Sequence, residues 1–104
     1  MDEELVHTVK EAKYGRKIDG SPYVSAEGEV GSSGWSNISL RLTTTEPPED
    51  GIYAFDFHAV RPSEPQPAVQ TPVSAEICWD GVDEAVGVRI RAKTNEILAD
   101  HVLG

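Results

Sequence analysis

The sequence from Gly51 to Pro62, GIYAFDFHAVRP, decides the fold class of this chain. Every second residue from Tyr53 to Phe57 is aromatic, while Asp56 and His58 fall on the other parity. Because successive side chains of a strand point to opposite faces, this segment would have one aromatic face and one polar face as a strand. A helix would scatter the same residues around its axis. The segment therefore predicts a strand with a buried aromatic face.

The segment before it, residues 35–45, has matching alternation and is predicted to be its antiparallel neighbour. Our preferred register pairs the apolar residues of the two strands: Leu42 with Phe55, Leu40 with Phe57 and Ile38 with Ala59. The same register places Arg41 opposite Asp56 on the polar face. Since a slip by one residue would break both kinds of pairing, the parity of the two strands is well determined.

Apolar alternation recurs elsewhere, with turn residues between the segments. The further predicted strands are Tyr23–Val30, Val69–Asp80 and Val86–Ala92. Residues 1–12 fit an N-terminal strand or arm, which we favour, and also a helix with Leu5, Val6, Val9 and Ala12 on one face. Pro72 lacks a backbone donor, so its segment is an edge strand or bends there.

A hairpin register for the last two segments places Ile77 opposite Val88 and Ala75 opposite Ile90. The chain as a whole, residues 1–104, is thus predicted to be one all-β domain. We expect an antiparallel β-sandwich, immunoglobulin-like or similar, with about six to seven strands and little or no helix.

The charge of the chain limits its partners. It carries 18 acidic and 9 basic residues among 104, a formal net charge of −9. Nucleic acid and anionic membranes are not expected as partners, because both need concentrated Lys and Arg. No apolar run is long enough to span a bilayer, and the acidic start is unlike a secretory signal. With Cys78 as the single cysteine, no intrachain disulfide can form, and we predict a cytoplasmic protein.

Few residues of the sequence are candidates for catalysis or metal binding. His7, His58 and His101 lack the spacing of metal ligands, although Asp56 and His58 on one face could form half of a metal site or an acid–base pair. We favour a solvent-facing cluster with Arg41 and Ser39 instead, because a metal site needs three or four ligands. We therefore expect no cofactor, no metal and no small-molecule substrate.

Cys78 is another candidate for chemistry, as a nucleophile. Its predicted neighbours Glu76 and Asp80 would raise the pKa of its thiol, which favours an inert sheet residue.

The candidate surface for a protein partner combines an exposed aromatic residue, an acidic loop and the predicted edge strand. Its residues are Trp35, Glu46, Glu49, Asp50, Gln70 and Pro72. Tryptophan is a frequent hot spot of interfaces, and an edge strand offers unpaired backbone groups.

Three motifs carry a resemblance. They are Gly34-Trp35-Ser36-Asn37, then Pro48-Glu49-Asp50-Gly51-Ile52-Tyr53, then Val69-Gln70-Thr71-Pro72-Val73. This layout resembles a group of small uncharacterised bacterial all-β proteins and, more loosely, the C-terminal domain of PrcB-type, protease-complex-associated proteins. The resemblance covers residues near 23 to 92, implies a β-sandwich with a non-enzymatic role, and carries no catalytic residue over.

We therefore expect a non-enzymatic protein-interaction module that binds a protein partner through a sheet edge or end loops. The alternative is a structural or self-assembling protein that pairs exposed edge strands between copies. An enzyme or metal-dependent binder centred on Asp56, His58 and Arg41 ranks last.

Overall fold

A computed structural model of the chain describes residues 3–43 and 48–102, which form two packed β-sheets. The strands are β1 (Glu3–Leu5), β2 (Thr8–Arg16), β3 (Pro22–Val30), β4 (Ser36–Leu42), β5 (Ile52–Val60), β6 (Thr71–Cys78), β7 (Gly87–Arg91), β8 (Glu96–Leu98) and β9 (Asp100–Val102). A 3-10 turn over Asp80–Asp83 is the one helical segment of the described residues. The predicted all-β sandwich is confirmed, and the three short strands β1, β8 and β9 bring the number of strands within residues 3–43 and 48–102 to nine.

Sheet A is built around the aromatic strand β5. The Thr43 N–H bonds the Ala54 carbonyl on one edge of β5, where β4 lies, and the Val6 N–H bonds the Phe57 carbonyl on the other. That second edge is shared by β7, which is parallel to β5, and by the short antiparallel strand β1. β8 then pairs with β7.

Sheet B has the order β6-β3-β2-β9, and its last pair is parallel. Both sheets are therefore mixed, where the sequence predicts antiparallel pairing. Alternation determines which face a residue occupies, and it carries no information on the direction of the neighbouring strand.

The core lies between the inner faces of the two sheets. Phe55 and Phe57 are fully buried there, as are Val24, Val88 and Ile90. Trp79, just after β6, packs edge-on against the ring of Phe55, with ring centroids 5.0 Å apart. The buried aromatic face predicted for residues 53–57 is thus the centre of this core.

The predicted β4–β5 register is confirmed along most of its length: Leu42 pairs with Phe55, Arg41 with Asp56 and Leu40 with Phe57. A bulge between Ser36 and Ser39 interrupts the ladder, and Asn37 adopts a positive φ of 49° within it. The extra residue shifts the register at the point where the sequence pairs Ile38 with Ala59.

The predicted hairpin between β6 and β7 is wrong. β6 pairs with β3 in sheet B, with Ile77 opposite Val24 and Ala75 opposite Ala26. β7 lies in sheet A beside β5, and the segment with the 3-10 turn crosses between the sheets. An alternating strand matches any neighbour with an apolar inner face, so alternation alone favoured the nearest one along the chain.

Candidate functional site

The open edge of sheet B is formed by β6, as Pro72 predicts. Among the described strands, β6 pairs with β3 alone. Its side chains alternate between half-buried residues that face the core and exposed residues that face outward. The outward set is Pro72, Ser74, Glu76 and Cys78.

The direction of the free backbone groups of β6 follows from one hydrogen bond. The Trp79 N–H donates to the Pro22 carbonyl of β3, 3.4 Å away. Because the N–H groups of a strand point alternately to its two sides, those of Ser74, Glu76 and Cys78 point away from β3. The backbone nitrogen of Pro72 also points away from β3. Because proline has no N–H, its presence there removes no hydrogen bond to β3. The edge therefore offers three donors in a row that bind no backbone group of the described residues.

A groove of about 480 Å³ lies beside this edge, on the outer face of sheet B. Pro72 and Ser74 of β6 line one side of it, and Glu27 and Glu29 of β3 lie next to them. Lys10 also lines the groove, and its ammonium group lies 2.9 Å from the carboxylate of Glu29.

A bulge in β2 shapes the far side of the groove. The β2–β3 register shifts between Val9 and Glu11, which places Glu11 directly opposite Glu27. Gly28 permits this approach, because a Cβ there would lie 2.1 Å from the Thr8 carbonyl oxygen. Both glutamates are exposed, and no cation of the described residues pairs with either. Like charges placed directly opposite on neighbouring strands destabilise a sheet. Lys13 lines a small cavity with both glutamates but forms no ion pair with either among the described residues.

The outer face of sheet A carries a row of alternating charges. Arg41, Asp56, Arg91 and Glu96 lie side by side on β4, β5, β7 and β8. Arg91 bonds both oxygens of Asp56, with distances of 2.9 Å from Nε and 3.2 Å from Nη2. Arg41 forms an ion pair with Glu3 of β1. The row thus joins neighbouring strands through charged pairs. Both carboxylate oxygens of Asp56 already accept hydrogen bonds from Arg91.

The prediction of a solvent-facing His58 is wrong. His58 is 9% exposed, because β1 pairs with the end of β5 and places Leu5 opposite it. Its Nδ1 lies 3.3 Å from a carboxylate oxygen of Glu3, at an angle that makes no hydrogen bond. The structure brings Asp56, His58 and Arg41 together as predicted, but as part of a packed, ion-paired face. This arrangement favours a structural role.

The residues predicted to form one partner surface lie at two ends of the sandwich. Trp35 precedes β4, whereas Glu49 and Asp50 form the turn before β5, and antiparallel pairing puts these positions at opposite ends. Gln70 and Pro72 belong to the Trp35 end, since Thr71 pairs with Val30, just before the loop that carries Trp35. Glu46 lies outside the described residues.

Trp35 is half-buried and packs against the core. Its indole N–H donates to the hydroxyl of Ser32 at 3.1 Å. The ring also lines a small cavity of about 170 Å³ with Arg61 and Lys93. Because the core and Ser32 both hold the Trp35 ring, this side chain is suited to cover the core at this end of the sandwich.

Cys78 is exposed and free, on the outer face of β6 as predicted. In the part of the chain that the structure describes, no three His, Cys, Asp or Glu side chains gather in a way that could hold a metal ion. Within residues 3–43 and 48–102 there is also no helix with the length and apolarity needed to cross a membrane.

Sequence reasoning missed Glu11, Glu27 and Ser74 as members of one site. The signal for Glu27 is its outward parity within residues 23–30, but its neighbours depend on which strands flank β3. Pro72 is the predicted surface residue that does line the groove.

Compared with known protein families, curated proteins and solved structures, the chain matches none of them.

Proposed function

We propose that the protein is an interaction module that binds an extended segment of a partner protein by adding it as a strand to β6. The observation that carries this proposal is the row of unpaired N–H groups at Ser74, Glu76 and Cys78. Strand addition uses such backbone groups for affinity and alternate side-chain positions for specificity. The groove beside Ser74 supplies a place for the alternate side chains of the added strand.

The core and the charged row on sheet A support a binding role over catalysis. Asp56 is held by Arg91, and the Nδ1 atom of His58 is enclosed beside Glu3, so neither group is presented to a substrate. The non-enzymatic character of the chain and its resemblance to PrcB-type domains stay predictions. We also propose a cytoplasmic location, because an exposed free cysteine such as Cys78 suits a reducing compartment.

Amide hydrogen exchange tests strand addition at β6. In the free protein, the amides of Ser74, Glu76 and Cys78 should exchange quickly, while those of Val73, Ala75 and Ile77 are protected by β3. The probe is a blocked seven-residue peptide of alternating threonine and valine, together with its arginine–valine and glutamate–valine versions. We expect at least one of these peptides to slow exchange at the three outward amides and at no other set.

The control is the same peptide with an N-methyl group on every amide between its residues, which removes the N–H donors from both of its edges and so its ability to pair. Protection that survives N-methylation, or no protection with any of the three peptides, overturns the proposed function.

Self-association through sheet edges is a second candidate, because β4 and β6 are edge strands of the two sheets and lie on the same side of the sandwich. Sedimentation at micromolar concentrations tests it. A monomer at every concentration contradicts assembly, whereas a mass that rises with concentration supports it.

A further inference from the structure

We propose that the segment bound at β6 is basic, with arginine or lysine at the position opposite Ser74. This inference rests on the proposed function, because it assumes that the segment pairs with β6. It adds the chemistry of the partner, which the open backbone of β6 leaves undetermined.

The argument begins with one row of side chains on the outer face of sheet B. Glu11, Glu27 and Ser74 lie directly opposite one another on β2, β3 and β6. A strand added to β6 would extend this row by one position, next to Ser74. Its outward side chain would then approach Glu27 across the smallest outward side chain of the neighbouring strand.

Distance favours a long side chain at that position. Neighbouring strands lie about 4.8 Å apart, so the backbone of the added residue is about 10 Å from that of Glu27. Two long side chains that lean toward each other over Ser74 can meet at that spacing. Arginine and lysine have both the length and the sign of charge, whereas a short polar residue would stop above Ser74.

Charge complementarity identifies the class of residue. Glu11 and Glu27 face each other with no cation of the described residues paired to either. Lys10 pairs with Glu29 and Lys17 pairs with Glu76, whereas Lys13 lines a small cavity with Glu11 and Glu27 and forms no ion pair with either among the described residues. A cation from a partner would relieve the repulsion between the two glutamates, and the net charge of −9 would attract it from a distance.

A second copy of this chain is a poorer occupant of the same edge. Its β6 would bring the exposed residues Ser74, Glu76 and Cys78, none of which is a cation. Each copy also carries the same net charge of −9, which opposes association. The edge of β6 therefore suits a basic partner better than it suits the β6 strand of a second copy.

The test compares the three seven-residue peptides by isothermal titration calorimetry at physiological salt concentration. We expect the arginine–valine peptide to bind about tenfold more tightly than the threonine–valine peptide, as charge-assisted hydrogen bonds imply. The glutamate–valine peptide should bind more weakly than both. The protein variants Glu27→Gln and Glu11→Gln should each reduce the advantage of the arginine peptide and leave the affinity of the threonine peptide unchanged.

Two variants separate the site from general attraction to an acidic protein. Glu96→Gln makes the same change of charge on β8 of the other sheet and should leave all three affinities unchanged. Ser74→Pro removes one outward N–H without touching the bonds to β3, and should weaken all three peptides, whereas Ser74→Thr keeps that N–H.

The outcomes distinguish the two proposals. Equal affinities for the arginine and glutamate peptides, or an effect of Glu96→Gln as large as that of Glu27→Gln, overturn the inference of a basic partner and leave strand addition standing. If Ser74→Pro and Ser74→Thr bind the peptides equally, or no peptide binds, strand addition itself is wrong.

Discussion

Gly28 shows how one residue lets two strands approach on the inner face of sheet B. A Cβ at this position would lie 2.1 Å from the Thr8 carbonyl oxygen and 3.1 Å from the ring of Phe57. We expect Gly28→Ala to lower the free energy of unfolding by about 1–3 kcal/mol, because the β2 backbone must shift to accept the methyl group. Urea unfolding followed by tryptophan fluorescence measures this change.

Gly31→Ala is the matched control for Gly28→Ala. It follows the same strand, and a Cβ there meets no atom within 4 Å. Its free energy of unfolding should stay close to that of the wild-type protein. Equal losses in the two variants would show that glycine matters here for reasons other than close approach.

Lys17 and Glu76 form an ion pair beside the open edge of sheet B. The hydrogen bond and the charge of Glu76 raise the pKa of the Lys17 ammonium group above its ordinary value. A group with a raised pKa stabilises the folded state below its unfolded pKa, and this contribution is lost as the pH rises through the folded pKa. The contribution of Lys17 is therefore complete at neutral pH and disappears only in alkaline solution.

Glu76→Gln should lower the pKa of Lys17 toward its ordinary value, which an NMR titration of the Lys17 side chain measures. Glu96→Gln removes a carboxylate from the other sheet and should leave this pKa unchanged. An unchanged pKa in the Glu76 variant would mean that the pair does not persist in solution.

At the scale of elements, Asn95 connects the loop between β7 and β8 to β2. Its side-chain carbonyl accepts a hydrogen bond from the Val9 N–H at 3.0 Å, and its amide donates to the Val9 carbonyl at 2.9 Å. Asn95→Asp replaces that donor by an acceptor that faces a carbonyl. We expect a loss of about 1–3 kcal/mol in the free energy of unfolding, measured by urea unfolding.

The neighbouring variant Glu96→Gln controls for an isosteric change at an exposed position and should be nearly neutral. If Asn95→Asp is also neutral, the two bonds to Val9 contribute nothing to stability.

The β4–β5 pair and the pairing of β6 mark how far the sequence predicts this fold. The β4–β5 register is predictable because apolar parity and the Arg41–Asp56 pair select the same alignment. The partner strand of β6 cannot be predicted in this way, because Ile77 can pack beside Val24 as well as beside Val88. Which strand β6 pairs with depends on how the chain crosses between the sheets. Long-range pairing of this kind has no local signature.

The candidate site is also predictable from the sequence only in part. Pro72 signals an edge strand from the sequence alone, because a central strand needs its N–H. The opposition of Glu11 and Glu27 depends on the bulge after Val9, where one extra residue moves the following side chains to the other face. No turn residue or break in composition marks that bulge, so the groove becomes visible only in three dimensions.

At the scale of the whole molecule, net charge and open edges act against each other. The charge of −9 at neutral pH makes copies repel one another, while β4 and β6 both present edges that no other described strand pairs with. Near the isoelectric point of about 4.6 the repulsion vanishes, and the edges remain. We therefore expect a monomer at pH 7 and larger species near pH 4.6, measured by light scattering at micromolar concentration, with tryptophan fluorescence to verify that the protein stays folded.

Ser74→Pro identifies the edge that is responsible for this association. It removes an outward N–H from β6, so the folded variant should scatter less than the wild-type protein near pH 4.6, while Ser74→Thr should behave as the wild type. Equal scattering by the two variants would assign the association to β4 or to general loss of charge. A wild-type protein that already associates at pH 7 would show that its charge does not protect the edges, and would favour the self-assembling alternative over the binding of a foreign strand.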